Sequence, residues 1–442
     1  MSTMVKKLDK NEILAVLNDW NFWQKDLPFG IRRNDYLAKA RSFLEEDQIL
    51  IIIGARRSGK SFIMRQLIKE LINNGIAPYE TLMINFEDPR LPKLDGAALQ
   101  EIYEIYLEML NPKAKSYIFL DEIQEVEGWE KWVRTMHELG KAHLIISGSN
   151  AKLLSQELAT LLTGRHLDIQ VSPLSFKEFL NFRQIFIKSP LDLVNQQIDI
   201  KRLFGEYSKY GGFPEVVLAG NKEEVLLRYF DDILSKDLIK RYKIRKAVAI
   251  KNLCKFYLSN ISSPITFHSL GDFLKIADDT VEKFSGYLDA AYLVSLLRRF
   301  SFKIKEQEKS PRKIYTIDTG LANFIGFNFS GNLGKLAENL VFLELNRQKA
   351  RNSNIEIYYW KDDLHREVDF VVKKSQRVSQ LIQVCWQIND IETKKRELKP
   401  LLKASDELKC NDLLVITDDY AAEERFGNKI VKFIPLWQWL LE

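Results

Sequence analysis

Residues 54–61 read Gly54-Ala55-Arg56-Arg57-Ser58-Gly59-Lys60-Ser61, a G-x-x-x-x-G-K-S loop. Its neighbours restrict the fold as much as its letters do. Ile49 to Ile53 is an unbroken apolar run, the mark of a strand buried on both faces. Beyond Ser61, the residues Phe62, Ile63, Leu67, Ile68, Leu71 and Ile72 repeat at the spacing of one helix face. Glycines let the backbone turn its N–H groups around anionic oxygens, and a helix N-terminus adds about half a positive charge aimed the same way. Lys60 is predicted to reach the β- and γ-phosphates of a nucleoside triphosphate, and Ser61 to hold Mg²⁺ through its hydroxyl. The nucleotide contacts are expected from Gly54 through Phe62.

A second signal agrees. Ser116 to Glu122 reads Ser-Tyr-Ile-Phe-Leu-Asp-Glu, a short apolar strand ending in adjacent carboxylates. Asp121 is placed to meet Mg²⁺ and Glu122 to polarise an attacking water; alone, the pair also fits a solvated acidic turn. A third strand, His143 to Ile146, runs into Ser147-Gly148-Ser149-Asn150. There Ser149 or Asn150 could contact the γ-phosphate, cap the helix expected from Ala151, or do both.

The chain has 442 residues, enough for two to four domains with real cores. Its 65 basic and 60 acidic side chains give a net charge of +5, which permits nucleic acid without requiring it. The three cysteines, Cys254, Cys385 and Cys410, show no C-x-x-C spacing, and the scattered histidines offer no zinc constellation. No apolar run approaches the roughly twenty residues of a membrane span, and Met1 to Lys10 lacks a signal-peptide core. A reduced, cytoplasmic location is expected.

Strands expected at 49–53, 81–86, 116–121, 143–147 and 166–171 alternate with helices, which implies a parallel sheet. The organisation read from the chain is a helical segment over 1–48, a nucleotide core over 49–172 and a helical lid over 173–250. A winged helix-turn-helix over 251–328 and an αβ domain over 334–442 complete it. In the third of these, Tyr210-Gly211-Gly212-Phe213-Pro214 is read as a tight turn between helices. In the fourth, Phe300, Phe302 and Ile304 alternate with Arg299, Lys303 and Lys305, as in a wing strand that returns at Lys313. The basic residues Arg298, Arg299, Lys303, Lys305, Arg312 and Lys313 are candidate contacts to a DNA backbone. The recognition helix opposes this, since it carries Asp278, Asp279, Glu282 and Asp289.

Together with Leu162-Thr163-Gly164-Arg165, Pro173-Leu174-Ser175-Phe176, Lys313-Ile314-Tyr315, Asp318-Thr319-Gly320 and Glu367-Val368-Asp369-Phe370, these motifs make a long and specific pattern. The chain resembles AAA-like, archaeal-type P-loop ATPases that carry a C-terminal nuclease-like domain of unknown function. The resemblance implies an α/β P-loop fold, ATP rather than GTP, Mg²⁺, and self-association as one option. It implies that Asn85 pairs with Glu122 until a partner binds, and that Arg165 is a candidate finger for the γ-phosphate, in competition with Arg56 and Arg57. It also implies a restriction-endonuclease-type C-terminal domain in which Glu338, Asp369 and Gln383 stand at the metal positions. The expected Glu-x-Lys is here Gln383-Val384-Cys385, so this site reads as a degenerate nuclease used for binding or assembly. Three functions follow as alternatives: an ATPase acting on or near DNA, a nucleotide-gated switch on a protein partner, and an ATP-driven metal nuclease.

Overall fold

Five strands form one parallel sheet: β1 (Ile49–Ile53), β2 (Thr81–Asn85), β3 (Ser116–Asp121), β4 (Ala142–Gly148) and β5 (His166–Gln170), in the order β2-β3-β4-β1-β5. The computed structural model describes residues 9–92, 94–149, 166–327, 333–388 and 391–442. Packing divides the chain after Val171 into two units.

In the first unit the apolar runs are buried because helices cover both faces, as a parallel sheet demands. One face packs Ile49, Ile51, Ile118, Leu120, Leu144 and Ile146 with Ile102, Tyr106 and Trp129; the other packs Leu50, Ile52, Phe119 and Ile145 with Ile63, Met64, Leu67 and Ile68 of the helix Lys60–Asn73. β2 is an edge strand, and the N-terminal segment covers it. Asn21 accepts from the Met83 N–H at 2.7 Å and donates to the Met83 carbonyl at 2.8 Å, while the Trp23 indole donates to the Thr81 carbonyl at 2.8 Å. These bonds satisfy backbone groups that an open edge would leave unpaired.

Order and direction place the ends of β1, β3 and β4 side by side. β4 lies between the strand that feeds the glycine loop and the strand that ends in Asp121.

The second unit, Ser172–Glu442, holds a small antiparallel sheet, β6 (Pro264–Ile265), β7 (Val294–Leu297) and β8 (Arg312–Thr316), in the order β6-β8-β7. The helices Phe267–Leu274 and Asp278–Ala290 lie between β6 and β7. The same unit contains a six-stranded mixed sheet of β9 (Ile355–Lys361), β10 (Glu367–Lys374), β11 (Arg377–Val384), β12 (Leu413–Thr417), β13 (Ala422–Phe426) and β14 (Lys429–Pro435), ordered β13-β14-β12-β11-β10-β9. The β13–β14 hairpin, turning at Gly427 with φ +63°, was not anticipated from the sequence, although Lys429 to Phe433 alternates.

The wing departs from expectation. Residues 299–305 do not continue β7; the segment Ile304–Lys309 is a short helix. The chain turns away because Phe300 has an apolar site beside Trp360 and Val371, and the Phe300 N–H donates to the Tyr359 carbonyl at 2.6 Å. Phe302 and Ile304 are left exposed.

A clasp ties two of the motifs together. Gly211 sits at φ +77°, ψ −164°, a conformation that only glycine adopts readily. This lets the Asp318 carboxylate accept from the Gly212 N–H (2.7 Å) and the Gly320 N–H (2.9 Å). Thr319 and Asn323 add bonds to the carbonyls of Tyr207, Ser208 and Lys209. Burial pushes the Asp318 carboxyl up to about 6 despite these amides.

Candidate functional site

The loop after β1 has the backbone geometry its glycines permit. Gly54 (φ +150°), Arg57 (φ +67°) and Gly59 (φ +101°) all lie at positive φ, and Gly59 precedes the first residue of the helix Lys60–Asn73. A Cβ on Gly54 would stand 2.1 Å from the Val171 carbonyl oxygen, so no side chain fits there. Arg33 braces the loop from the N-terminal segment by donating to the Ser58 carbonyl at 2.9 Å.

Lys60 is buried inside the loop. Its ammonium donates to the carbonyls of Gly54 and Ala55 at 3.2 Å each and stands 3.2 Å from Glu122 Oε1. Asp121 and Glu122 therefore reach the loop from β3, across the end of β4. Both are buried. Ser147 of β4 joins them, donating its hydroxyl to Asp121 Oδ1 and accepting the Glu122 N–H at 3.0 Å. Glu122 is in the left-handed region (φ +55°), which turns its side chain out of the strand pattern and into the site. Gln124 Nε2 donates to Glu122 Oε2 at 2.6 Å.

The electrostatics follow from burial and from this geometry. Burial pushes the Asp121 carboxyl up, the neighbouring Glu122 charge adds to that, and the Ser147 and Ser61 hydroxyls with Lys60 act in the opposite sense. Burial acts on Glu122 too, but Lys60, Gln124 and Arg56 outweigh it and hold Glu122 down at about 2. Glu122 is thus an anion paired with a lysine, and Asp121 is the carboxylate that a further cation would stabilise.

Asp121 Oδ2 and Ser58 Oγ are buried without a hydrogen-bond partner. The first, with the Ser61 hydroxyl, is an oxygen pair of the kind Mg²⁺ takes; the second faces a loop whose chemistry suits phosphate. These residues fit a magnesium nucleotide. Among the described residues no three His, Cys, Asp or Glu side chains gather as a metal site without a nucleotide.

Other candidates are placed differently. Asn85 does not reach Glu122: its Oδ1 accepts the Glu87 N–H at 2.9 Å and so caps the end of β2. The side-chain amide that meets Glu122 belongs to Gln124 instead. Arg56 is committed to Glu87, with N–O distances of 2.7 and 3.2 Å. Ser149 is buried just beyond β4, and Phe62 is half exposed on the helix beside Gly30. Arg165 and Asn150 lie outside the described residues.

Among the proposed DNA contacts, Lys313 is only 1% exposed and is surrounded by carboxylates, so it cannot meet a phosphate backbone. Arg298 and Arg312 both pair with Glu308, Lys303 pairs with Glu306, and Arg299 donates to the Lys361 carbonyl at 2.6 Å. Lys305 is exposed. The excess charge counted along the sequence is thus paired only in part: Glu306 and Glu308 take three of these cations, and Lys313 is buried among acids.

Ser147, Gln124, Glu87 and Arg33 were not singled out. A hydroxyl one residue inside the apolar β4 run was the available sign for Ser147; Arg33 left no local sign.

Residues 46–180 match the AAA domain family. Residues 201–331 match a domain of unknown function (DUF8612), and residues 333–439 match another (DUF4143). An uncharacterized protein of Methanocaldococcus jannaschii is 34% identical over 409 residues, covering 89% of this chain and 88% of its own. An uncharacterized protein of Haemophilus influenzae is 31% identical over 420 residues, covering 93% of this chain and 99% of its own. Among solved structures, a Walker-type ATPase of Pyrococcus abyssi is similar at 15% identity and a TM-score of 0.44, covering 67% of this chain and 96% of that one.

Proposed function

We propose that this chain, which belongs to one family with the M. jannaschii and H. influenzae relatives and carries an AAA domain followed by two domains of unknown function, is a Mg²⁺-dependent ATPase. The observation that carries the reading is the meeting of Lys60, Asp121 and Glu122 at one buried loop. Lys60 exchanges its carbonyl partners for the β- and γ-phosphates. Ser61 and Asp121 hold Mg²⁺, which when bound neutralises charge on the phosphate oxygens. The loop amides from Gly54 to Ser61 surround the phosphate chain, with Phe62 in the first turn of the helix behind it. Glu122, oriented by Gln124, polarises the attacking water and takes its proton once Lys60 has left it for the phosphates. Ser147 fixes the spacing of the two carboxylates.

Hydrolysis would change how the nucleotide unit acts on the C-terminal unit. A protein partner is the better fit for that output than DNA. The helix Asp278–Ala290 is acidic in its first turn, and three of the wing cations, Arg298, Lys303 and Arg312, pair with Glu306 and Glu308. A second copy of the chain is one such partner.

Phosphate release tests the reading. Wild type with ATP and Mg²⁺ should turn over, and Lys60→Ala and Glu122→Gln should each lower the rate by about 100-fold or more, the scale of losing a general base or a phosphate-positioning charge. Equal rates in all three proteins would refute it.

A further inference from the structure

The C-terminal sheet carries the chain's other concentration of buried charge, and it does not suit the metal that a nuclease-like reading requires. Lys313 and Tyr315 lie on one face of β8, while Ile314 between them points into the helical core around Leu253 and Leu288. Tyr315 packs in the opposite core, stacked on Phe342 at 4.2 Å. The ammonium of Lys313 thereby enters the ring of acids contributed by the helix Leu333–Arg351 and by β10. It stands 2.7 Å from Glu338, 2.7 Å from Glu367 and 3.0 Å from Asp369.

Most of the acidic oxygens are already engaged. Asp369 Oδ1 takes Lys313, and its Oδ2 accepts the Val384 N–H at 2.9 Å. Glu338 Oε1 takes Lys313 and the Tyr315 hydroxyl, the latter at 2.6 Å. Glu367 is shared between Lys313 and Lys361. Gln383 Nε2 donates to Glu397 at 3.0 Å, while its Oε1 is buried without a hydrogen-bond partner. A divalent ion at this point would sit beside a buried ammonium and share its carboxylate ligands with it, and the two like charges would repel strongly in a low-dielectric interior.

We propose that Lys313 is the resident cation of this three-carboxylate site. Its side chain takes the place of a dissociable metal and fastens the three-stranded sheet to the six-stranded one. The cluster is a charge lock, and it supports no metal-dependent strand cleavage while Lys313 is in place.

The lock can be tested with terbium(III), a luminescent probe of oxygen-rich cation sites, on the full chain. Excitation through tyrosine would report an ion near Tyr315. Wild type and Asp369→Asn should take up the same number of ions. Lys313→Met keeps the stem but loses the charge, and it should gain one site binding at least about tenfold tighter than any in wild type, since three carboxylates are then uncompensated. Adding Asp369→Asn to Lys313→Met should abolish that site. A wild-type ion that disappears with Asp369→Asn would overturn the proposal, as would a folded Lys313→Met chain with no added site. Should Lys313→Met fail to fold, the comparison of wild type with Asp369→Asn decides by itself. Equal uptake sustains the lock, and an Asp369-dependent ion refutes it.

Discussion

A carboxylate taken out of water must find compensation nearby, and Asp121 and Glu122 find it in different ways. Glu122 has an ammonium and an amide; Asp121 has hydroxyls and one oxygen left over. Ser147 is the residue that touches both. Ser147→Ala should leave the fold intact while lowering ATP turnover about 10- to 100-fold, the range for removing one preorganised donor. The loss should fall on kcat more than on KM, because the hydroxyl touches the acids and not the loop; steady-state kinetics check this. Glu338 gives a prediction in pH. Burial, then Asp369, push its carboxyl up to about 7, so the folded chain keeps a proton that the unfolded chain has already released above about 4.5. Stability from this group is therefore lost as pH rises from 4.5 to 7. Denaturant titrations of wild type and Glu338→Gln should show wild type losing ground across that window and a constant difference above it. A difference that stays flat throughout contradicts the buried, proton-holding state. The residues legible in sequence were those in contiguous motifs, Gly54 to Ser61 and Asp121-Glu122. Ser147 meets Asp121 and Glu122 only when β3 and β4 align, and Arg33 reaches the loop across 25 residues, so neither role is spelled out in a contiguous motif. Asn85 shows the reverse: its position resembled that of a switch residue, but its amide meets a nearer backbone N–H.

Elements were legible where one physical signal ruled. The first-unit strands fall close to their expected places because β1 to β4 are short, mainly apolar runs bounded by turns or helix caps and β5 alternates polar with apolar residues. The wing failed because alternation records two faces without naming what covers them: Phe300 found a site in the neighbouring core and drew the chain away from β7. Gly211-Gly212 was legible as a turn, though not as a receptor for Asp318, since that contact spans 106 residues. The clasp makes a sharp prediction. A Cβ on Gly211 would stand 2.0 Å from Asp318 Oδ1, on a backbone conformation that costs a non-glycine residue about 1–3 kcal/mol before any clash is counted. Gly211→Ala should destabilise the second unit by at least that much in chemical denaturation. Gly220→Ala, where an added Cβ meets nothing within 4 Å, should change little.

At the scale of the molecule, the chain joins a P-loop unit with edge and loop braced by its own N-terminal segment to a second unit in which a lysine of the three-stranded sheet meets acids of the six-stranded one and of the helix Leu333–Arg351. Composition anticipated none of the second arrangement. A net charge of +5 says nothing about where lysines point, and Lys313, counted as a surface cation, is among the most buried side chains. The family places the chain among P-loop proteins, and the account rests on the loop being a working nucleotide site. Calorimetric titration with a non-hydrolysable ATP analogue and Mg²⁺ tests this most directly. Wild type should bind one equivalent, and Lys60→Ala should weaken binding by at least about tenfold, near 1.4 kcal/mol. The absence of binding heat from wild type at millimolar analogue, or equal affinity in the two proteins, would contradict the account.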